Sequence, residues 1–130
     1  MSELANWMLQ WTLSVPGLLH LAGISILAGA AVRFSRTRSV GRFWFVALVL
    51  WLVAALACIP GSSTVRAAVA GALWALSVIA VYAISLAIPV AKAKPPRTIF
   101  LLSAVLFILQ APLSLLSGLY FACYIGHDCP

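Results

Sequence analysis

The few charged residues of this chain divide it into four uncharged, strongly apolar stretches. They cover residues 4–32, 43–65, 67–91 and 98–127. Each stretch is long enough for a membrane-spanning helix, which needs about 20 mostly apolar residues. We therefore predict four spans, near residues 13–32, 43–59, 67–91 and 99–121, which are joined by short loops.

Within these stretches the apolar residues form continuous runs and do not alternate with polar ones, and this pattern predicts helices. A half-buried strand alternates apolar and polar residues, and that alternation is not seen here. A helix in lipid also satisfies its backbone polar groups within one segment. We predict an all-α fold, an integral membrane four-transmembrane-helix bundle that forms a single domain over residues 1–130.

The composition excludes an ordinary water-soluble domain. Hydrophobic residues make up 65% of the 130 residues, and only eight Lys+Arg and two Asp+Glu are present, whereas about a quarter of the residues of a soluble domain are charged. A soluble body of this size would leave about a third of its unfolded surface in water. The first span lacks the basic start of a signal peptide, so we expect it to be retained as a helix.

The basic residues are concentrated in two of the predicted loops. The second loop contains only Arg66, whereas the first and third contain Arg33, Arg36, Arg38, Arg42, Lys92, Lys94 and Arg97. Because cytoplasmic loops carry the excess of basic residues, we expect these two loops in the cytoplasm of a bacterium. Both termini then lie on the periplasmic side of the inner membrane.

The same charge distribution bears on the partners of the protein. In a soluble protein a net charge of +6 would suggest nucleic acid, but here topology explains it and we expect no nucleic-acid binding. The basic loops are suited to anionic lipid headgroups, so membrane lipids are the first expected partners. Docking of an acidic partner subunit is the alternative.

Two spans carry small and polar residues along one face. On the fourth span this seam consists of Ser103, Phe107, Gln110, Ser114, Ser117 and Phe121, at alternating steps of four and three. On the first span the stripe consists of Gln10, Ser14, Gly17, His20, Ala28 and Ala31, and Ile24 interrupts it. Such residues mark helix contacts in membranes, where close approach and hydrogen bonds hold helices together. We expect both faces to contact protein.

His20 is the only side chain within a predicted span that titrates near neutral pH. It lies about eight residues from the predicted outer boundary, or roughly 12 Å deep, and intramembrane ionisable residues are candidates for function. Gln110 lies at a similar depth, so both residues are candidates for binding a haem or a quinone. The structural alternative is a neutral His20 that is hydrogen-bonded to Gln110 or to a nearby serine.

The cysteines lie near the predicted outer face. A disulfide between Cys123 and Cys129 would close a small loop, and an oxidising periplasm favours it. Pairing of Cys129 with Cys58 is the alternative, but we predict Cys58 as the unpaired, apolar cysteine. Cys123, His127 and Cys129 also offer two thiols and an imidazole that suit copper or zinc, although no metal is the first expectation.

The sequence contains no catalytic constellation and no carboxylate within a span. Our leading hypothesis is an accessory or structural subunit of a larger membrane complex, for example a respiratory or other redox complex, with no enzymatic activity and no cofactor of its own. One alternative is a homo-oligomeric channel or small-solute transporter lined by His20, Gln110 and the serines of the fourth span. Another is a haem- or quinone-binding membrane subunit that uses His20.

The distribution of basic residues predicts which loops a membrane-impermeant thiol reagent reaches. In a variant whose native cysteines are replaced by serine, Ser63→Cys should be labelled in intact cells. Ser39→Cys should be labelled only after lysis, because its loop is expected in the cytoplasm. The reverse labelling pattern would show that the predicted orientation is wrong.

The cysteine spacing predicts one disulfide, between Cys123 and Cys129. After chymotryptic cleavage at Tyr124, which separates the two residues in the sequence, peptide mapping without reductant should recover the peptides of Cys123 and Cys129 as one linked species, because the periplasm is oxidising. Two free thiols at these positions would contradict the disulfide. A Cys58–Cys129 bridge would contradict only the pairing.

Overall fold

A computed structural model of the chain describes residues 2–58 and 65–126. All regular structure in these residues is helical. The helices are α1 (Ser2–Thr12), α2 (Val15–Thr37), α3 (Val40–Ala57), α4 (Val65–Ala91) and α5 (Pro96–Phe121), and a π-helical turn (Ala122–Gly126) follows α5. Helices α2 to α5 are long and apolar enough to cross a membrane. The predicted all-α bundle with four spans is thus confirmed.

The N-terminal part differs from the prediction, which expected only a short segment before the first span. Residues Ser2–Thr12 form a separate helix, and α2 begins after a break at Leu13 and Ser14. Ser14 caps α2, since its side chain accepts a hydrogen bond from the Gly17 N–H at 3.4 Å. A serine at this position satisfies one of the free N–H groups of the first turn. At its other end α2 extends to Thr37, five residues beyond the predicted end.

Two short turns connect α2 to α3 and α4 to α5. Arg38 adopts a left-handed conformation with φ 53°, and its N–H bonds to the Phe34 carbonyl, which ends α2. Between α4 and α5, Pro95 is extended (ψ 143°) and Pro96 begins the next helix. A residue before proline avoids the helical region, while proline itself suits the first helical position. These turns place the two basic segments at the same end of the bundle.

Helix α4 lies at the centre of the packing. It contacts α2, α3 and α5, and α2 also contacts both α3 and α5. Ten residues of α4 are buried, against three each in α3 and α5. The first and fourth spans are therefore neighbours. The largest side chains enclosed in the core are Trp74, Tyr82, Phe43, Leu27, Ile79, Leu86, Ile99 and Val90.

The seam predicted on the fourth span faces protein. Ser103 and Ser114 are buried, and Gln110 and Ser117 are half-buried. Phe107 is the exception, with 39% of its surface exposed. The opposite side of α5 consists of apolar residues that are more than half exposed, namely Leu101, Val105, Ile108, Leu109, Leu113 and Leu116. This division is the one that a lipid-facing surface and a helix contact require.

The stripe predicted on the first span is confirmed in part. Gly17, His20 and Ala31 are buried, but Gln10 belongs to α1 and is exposed. Ile24 does not interrupt the buried face. It is itself buried, as is Leu27, because the core-facing positions of α2 advance in steps of four and three from His20.

Helices α4 and α5 are joined by hydrogen bonds from side chains to backbone carbonyls. The pairs are Trp74 Nε1 to Ser114 O (2.7 Å), Gln110 Nε2 to Val78 O (3.2 Å) and Tyr82 OH to Ser103 O (2.9 Å). A helical carbonyl can accept such a bond because it has two lone pairs. Positions 74, 78 and 82 are four residues apart and so lie on one face of α4. Trp51 Nε1 likewise donates to Leu76 O across α3 and α4, at 3.1 Å.

The close contact of α5 with α4 predicts that added bulk on the seam destabilises the bundle. Ser103→Leu should lower the free energy of unfolding by about 1–3 kcal/mol, the usual cost of overpacking a filled core. Ser103 is 5% exposed, and its carbonyl accepts the Tyr82 bond. The measurement is unfolding of the purified protein in mild detergent.

Ala104→Leu is the matched control. It adds the same side chain at the next residue, which is exposed, and should change the free energy of unfolding by no more than about 0.5 kcal/mol. Equal destabilisation by both substitutions would contradict the assignment of the two faces.

Candidate functional site

A partly open cavity of about 160 Å³ lies between α2 and α5. Helix α2 contributes Gly17, His20, Leu21 and Ile24, and helix α5 contributes Phe107, Gln110, Ala111, Ser114 and Leu115. Thr12, the last residue of α1, completes the lining. The two spans that carry polar stripes therefore meet at a cavity that contains polar groups from both.

The cavity exists because small residues lie where two transmembrane helices face each other. Gly17 precedes His20 by one turn on the same face of α2, and it has no side chain to fill the space beside the imidazole. On α5, Ala111 and Ser114 are also small. A leucine or phenylalanine at any of these positions would occupy volume that remains open here.

His20 lies at the wall of this cavity and is 7% exposed. Its imidazole packs against the indole of Trp74, with ring centroids 5.0 Å apart and planes at 46°. Trp74 is itself buried, and its hydrogen bond to the Ser114 carbonyl fixes it between α4 and α5. Three helices thus determine the position of the imidazole: α2 carries it, α4 supports it, and α5 faces it.

The polar groups of the cavity are incompletely bonded. Among the described residues, Nδ1 of His20 is buried and has no hydrogen-bond partner. An unpaired polar atom of this kind costs free energy. The Gln110 amide uses one N–H for Val78 O, which leaves its second N–H and its carbonyl oxygen for other partners.

Apart from His20, no residue that lines the cavity can ionise. The walls combine apolar side chains with an imidazole, a carboxamide and two hydroxyls. Such a lining favours an uncharged ligand with an apolar body, because an ion would lose its hydration without a counter-charge. A few placed polar groups in an apolar pocket are also the usual composition of small-molecule sites.

The structure brings together the two residues predicted as a cofactor-binding pair, since His20 and Gln110 line the same cavity. The structural alternative paired His20 with Gln110 or with a nearby serine. Among the described residues Gln110 donates to Val78 O of α4, and no bond joins it to His20. His20 is also nearer the helix start than expected, as the sixth residue of α2. Phe107 and Trp74 were missed as members of the site, because neither aromatic carries a sequence signal that separates it from core packing.

The second group of predicted residues is described only in part. Cys58 is a free, half-buried cysteine at the end of α3. Cys123 lies in the π-helical turn. His127 and Cys129 fall outside the described residues, so the Cys123–Cys129 disulfide and the alternative metal site with His127 stay predictions. Within residues 2–58 and 65–126, no group of three His, Cys, Asp or Glu side chains could hold a metal ion.

Comparisons of the chain with protein-family models, with curated proteins and with solved structures find no match.

Proposed function

We propose that this protein is a small multi-pass membrane subunit that binds a quinone in the cavity between α2 and α5. The observation that carries the proposal is the cavity that His20 and Gln110 line together, with the imidazole on α2 and the carboxamide on α5. A quinone is an uncharged ring with two carbonyl oxygens, and its tail is soluble in lipid. The apolar lining suits the uncharged ring, the imidazole and the carboxamide suit the carbonyl oxygens, and the open side of the cavity suits the tail.

The size of the cavity supports a single-ring headgroup. Its volume of about 160 Å³ is close to the roughly 150 Å³ of an apolar protein cavity that holds one benzene molecule. A porphyrin has four pyrrole rings around its metal, and its macrocycle is much larger than this space. The haem alternative therefore has less support than the quinone alternative.

The polar side chains of the cavity suit a ligand that accepts hydrogen bonds in one redox form and also donates them in the other. Quinone oxygens accept hydrogen bonds, whereas quinol hydroxyls both donate and accept them. Imidazole and carboxamide side chains each offer both functions, so His20 and Gln110 can bond to either redox form. Phe107 adds an aromatic face next to the ring, and offset stacking of such rings is favourable.

The channel alternative has less support, because the polar residues of α5 are used inside the bundle. Ser103 and Ser114 are buried, and their hydroxyls donate to the carbonyls of Ile99 and Ala111. A pathway between copies of the chain would need this seam on the outside. The outer side of α5 is instead formed by residues such as Ile108 and Leu113, which suit lipid.

A quinone site also fits the hypothesis of an accessory subunit in a bacterial inner membrane. Binding is the role that we assign to this chain, and the electrons of quinone chemistry would pass to or from a partner subunit. Positive-inside topology would place the basic end in the cytoplasm. The cavity, near the start of α2 and therefore at the other end, would then lie in the periplasmic half of the bilayer.

The proposal predicts saturable binding of a short-tail benzoquinone to the purified protein in mild detergent, measured by calorimetric titration. His20→Leu and Gln110→Leu should each weaken binding about tenfold, since a lost hydrogen bond of about 1.4 kcal/mol changes the dissociation constant by that factor. Ala111→Phe should abolish binding, because it fills the cavity without removing a polar group.

Leu113→Phe is the control for bulk. It adds the same aromatic ring two residues away, on the exposed side of α5, and should leave quinone binding unchanged. Binding that is equal in wild type, His20→Leu and Ala111→Phe would show partitioning into detergent and would overturn the proposed site. An unchanged unfolding temperature of His20→Leu and Ala111→Phe shows that any loss of binding in these two variants is local. Gln110→Leu also removes the bond to Val78 O, so its loss of binding is interpreted together with its unfolding temperature.

A further inference from the structure

We infer that the C-terminal part of α2 forms a binding site for one anionic phospholipid. A groove of about 380 Å³ runs along this part of the helix, lined by Gly29, Val32, Arg33, Arg36 and Thr37. This site is separate from the quinone cavity, which lies at the opposite end of α2.

The groove has two cationic side chains at one end and the small surface of Gly29 and Val32 at the other, on one face of the helix. Arg33 and Arg36 are three residues apart, and such residues are neighbours on a helix surface. Both are exposed. Two guanidinium groups on successive turns can hold one phosphodiester between them, because the planar fork of arginine matches the geometry of phosphate oxygens.

The charge around the groove has no internal counterpart. Seven of the eight basic residues belong to this end of the bundle. Of the two acidic residues, Glu3 lies in α1, before the opposite end of α2, and Asp128 lies outside the described residues. Among the described residues, this end of the bundle therefore has no carboxylate that could pair with Arg33 or Arg36. An anion from outside the chain is the remaining counter-charge.

The apolar side of the groove distinguishes a phospholipid from free phosphate. One turn before Arg33, Gly29 leaves an opening in the helix surface, since even a Cβ at this position would meet nothing within 4 Å. Val32 lies beside this opening. An acyl chain can lie along α2 there, while its phosphate stays at the level of the arginines, where basic residues interact with anionic headgroups. Inorganic phosphate would gain nothing from this surface.

The test is native mass spectrometry of the protein with an equimolar mixture of phosphatidylglycerol and phosphatidylcholine that have the same acyl chains. We expect one retained phosphatidylglycerol per chain. The double substitution Arg33→Gln and Arg36→Gln should reduce its affinity about thirtyfold, since each basic residue near an anionic lipid contributes about 1 kcal/mol. Gly29→Phe should reduce it as well, because it keeps both charges and fills the groove.

Lys92→Gln with Lys94→Gln is the matched control. It removes two charges from the same end of the bundle but not from the groove, so phosphatidylglycerol retention should stay within about threefold of wild type. An equal loss in this control would show diffuse electrostatic attraction and would overturn the site. Equal retention of both lipids by wild type, or displacement of phosphatidylglycerol by millimolar inorganic phosphate, would overturn it too.

Discussion

Hydrogen bonds from the side chains of one helix to the backbone carbonyls of another hold the centre of this bundle together. In lipid the apolar surfaces of two helices gain little by leaving their surroundings, so packing and interhelical hydrogen bonds must specify which helices meet. The bonds of Trp74 and Tyr82 to α5, and of Gln110 to α4, serve that purpose. They also explain why α4 is the most enclosed helix, since it shares such bonds with both α3 and α5.

The geometry of the candidate site depends on the contact between α4 and α5. Trp74 donates to the carbonyl of Ser114 and at the same time supports the ring of His20, so the bond that joins α4 to α5 also sets the imidazole against the cavity. The small residues that let α2 and α5 approach leave the space unfilled next to it. Assembly of the bundle and formation of the cavity therefore depend on the same few positions, and a change that loosens the α4–α5 contact would also displace His20.

Much of the fold could be predicted from the sequence. A lipid environment requires long hydrophobic runs, and it confines small and polar residues to helix contacts such as the seam on the fourth span. The similar depth of His20 and Gln110 in their predicted spans also brought them forward as a pair. The sequence could not predict their hydrogen-bond partners. The partner of Gln110 is the backbone carbonyl of Val78, and a backbone carbonyl has no sequence signature. The helix before the first span was missed for a related reason. Ser14 and Pro16 are as compatible with the interior of one long apolar stretch as with a break, until the Ser14 cap is seen.

The use of backbone carbonyls as acceptors divides the residues of the α4–α5 contact into two groups with different freedom to change during evolution. A donor such as Tyr82 cannot be exchanged for most other residues without losing its bond. The acceptor Ser103 contributes only its main chain to that bond, so alanine or glycine there would serve equally well provided that the helices can still approach. Homologous chains can therefore diverge at acceptor positions such as Ser103 and Val78 while the same three-dimensional pairing persists, and the donor positions Trp74, Tyr82 and Gln110 would be the more durable record of common descent.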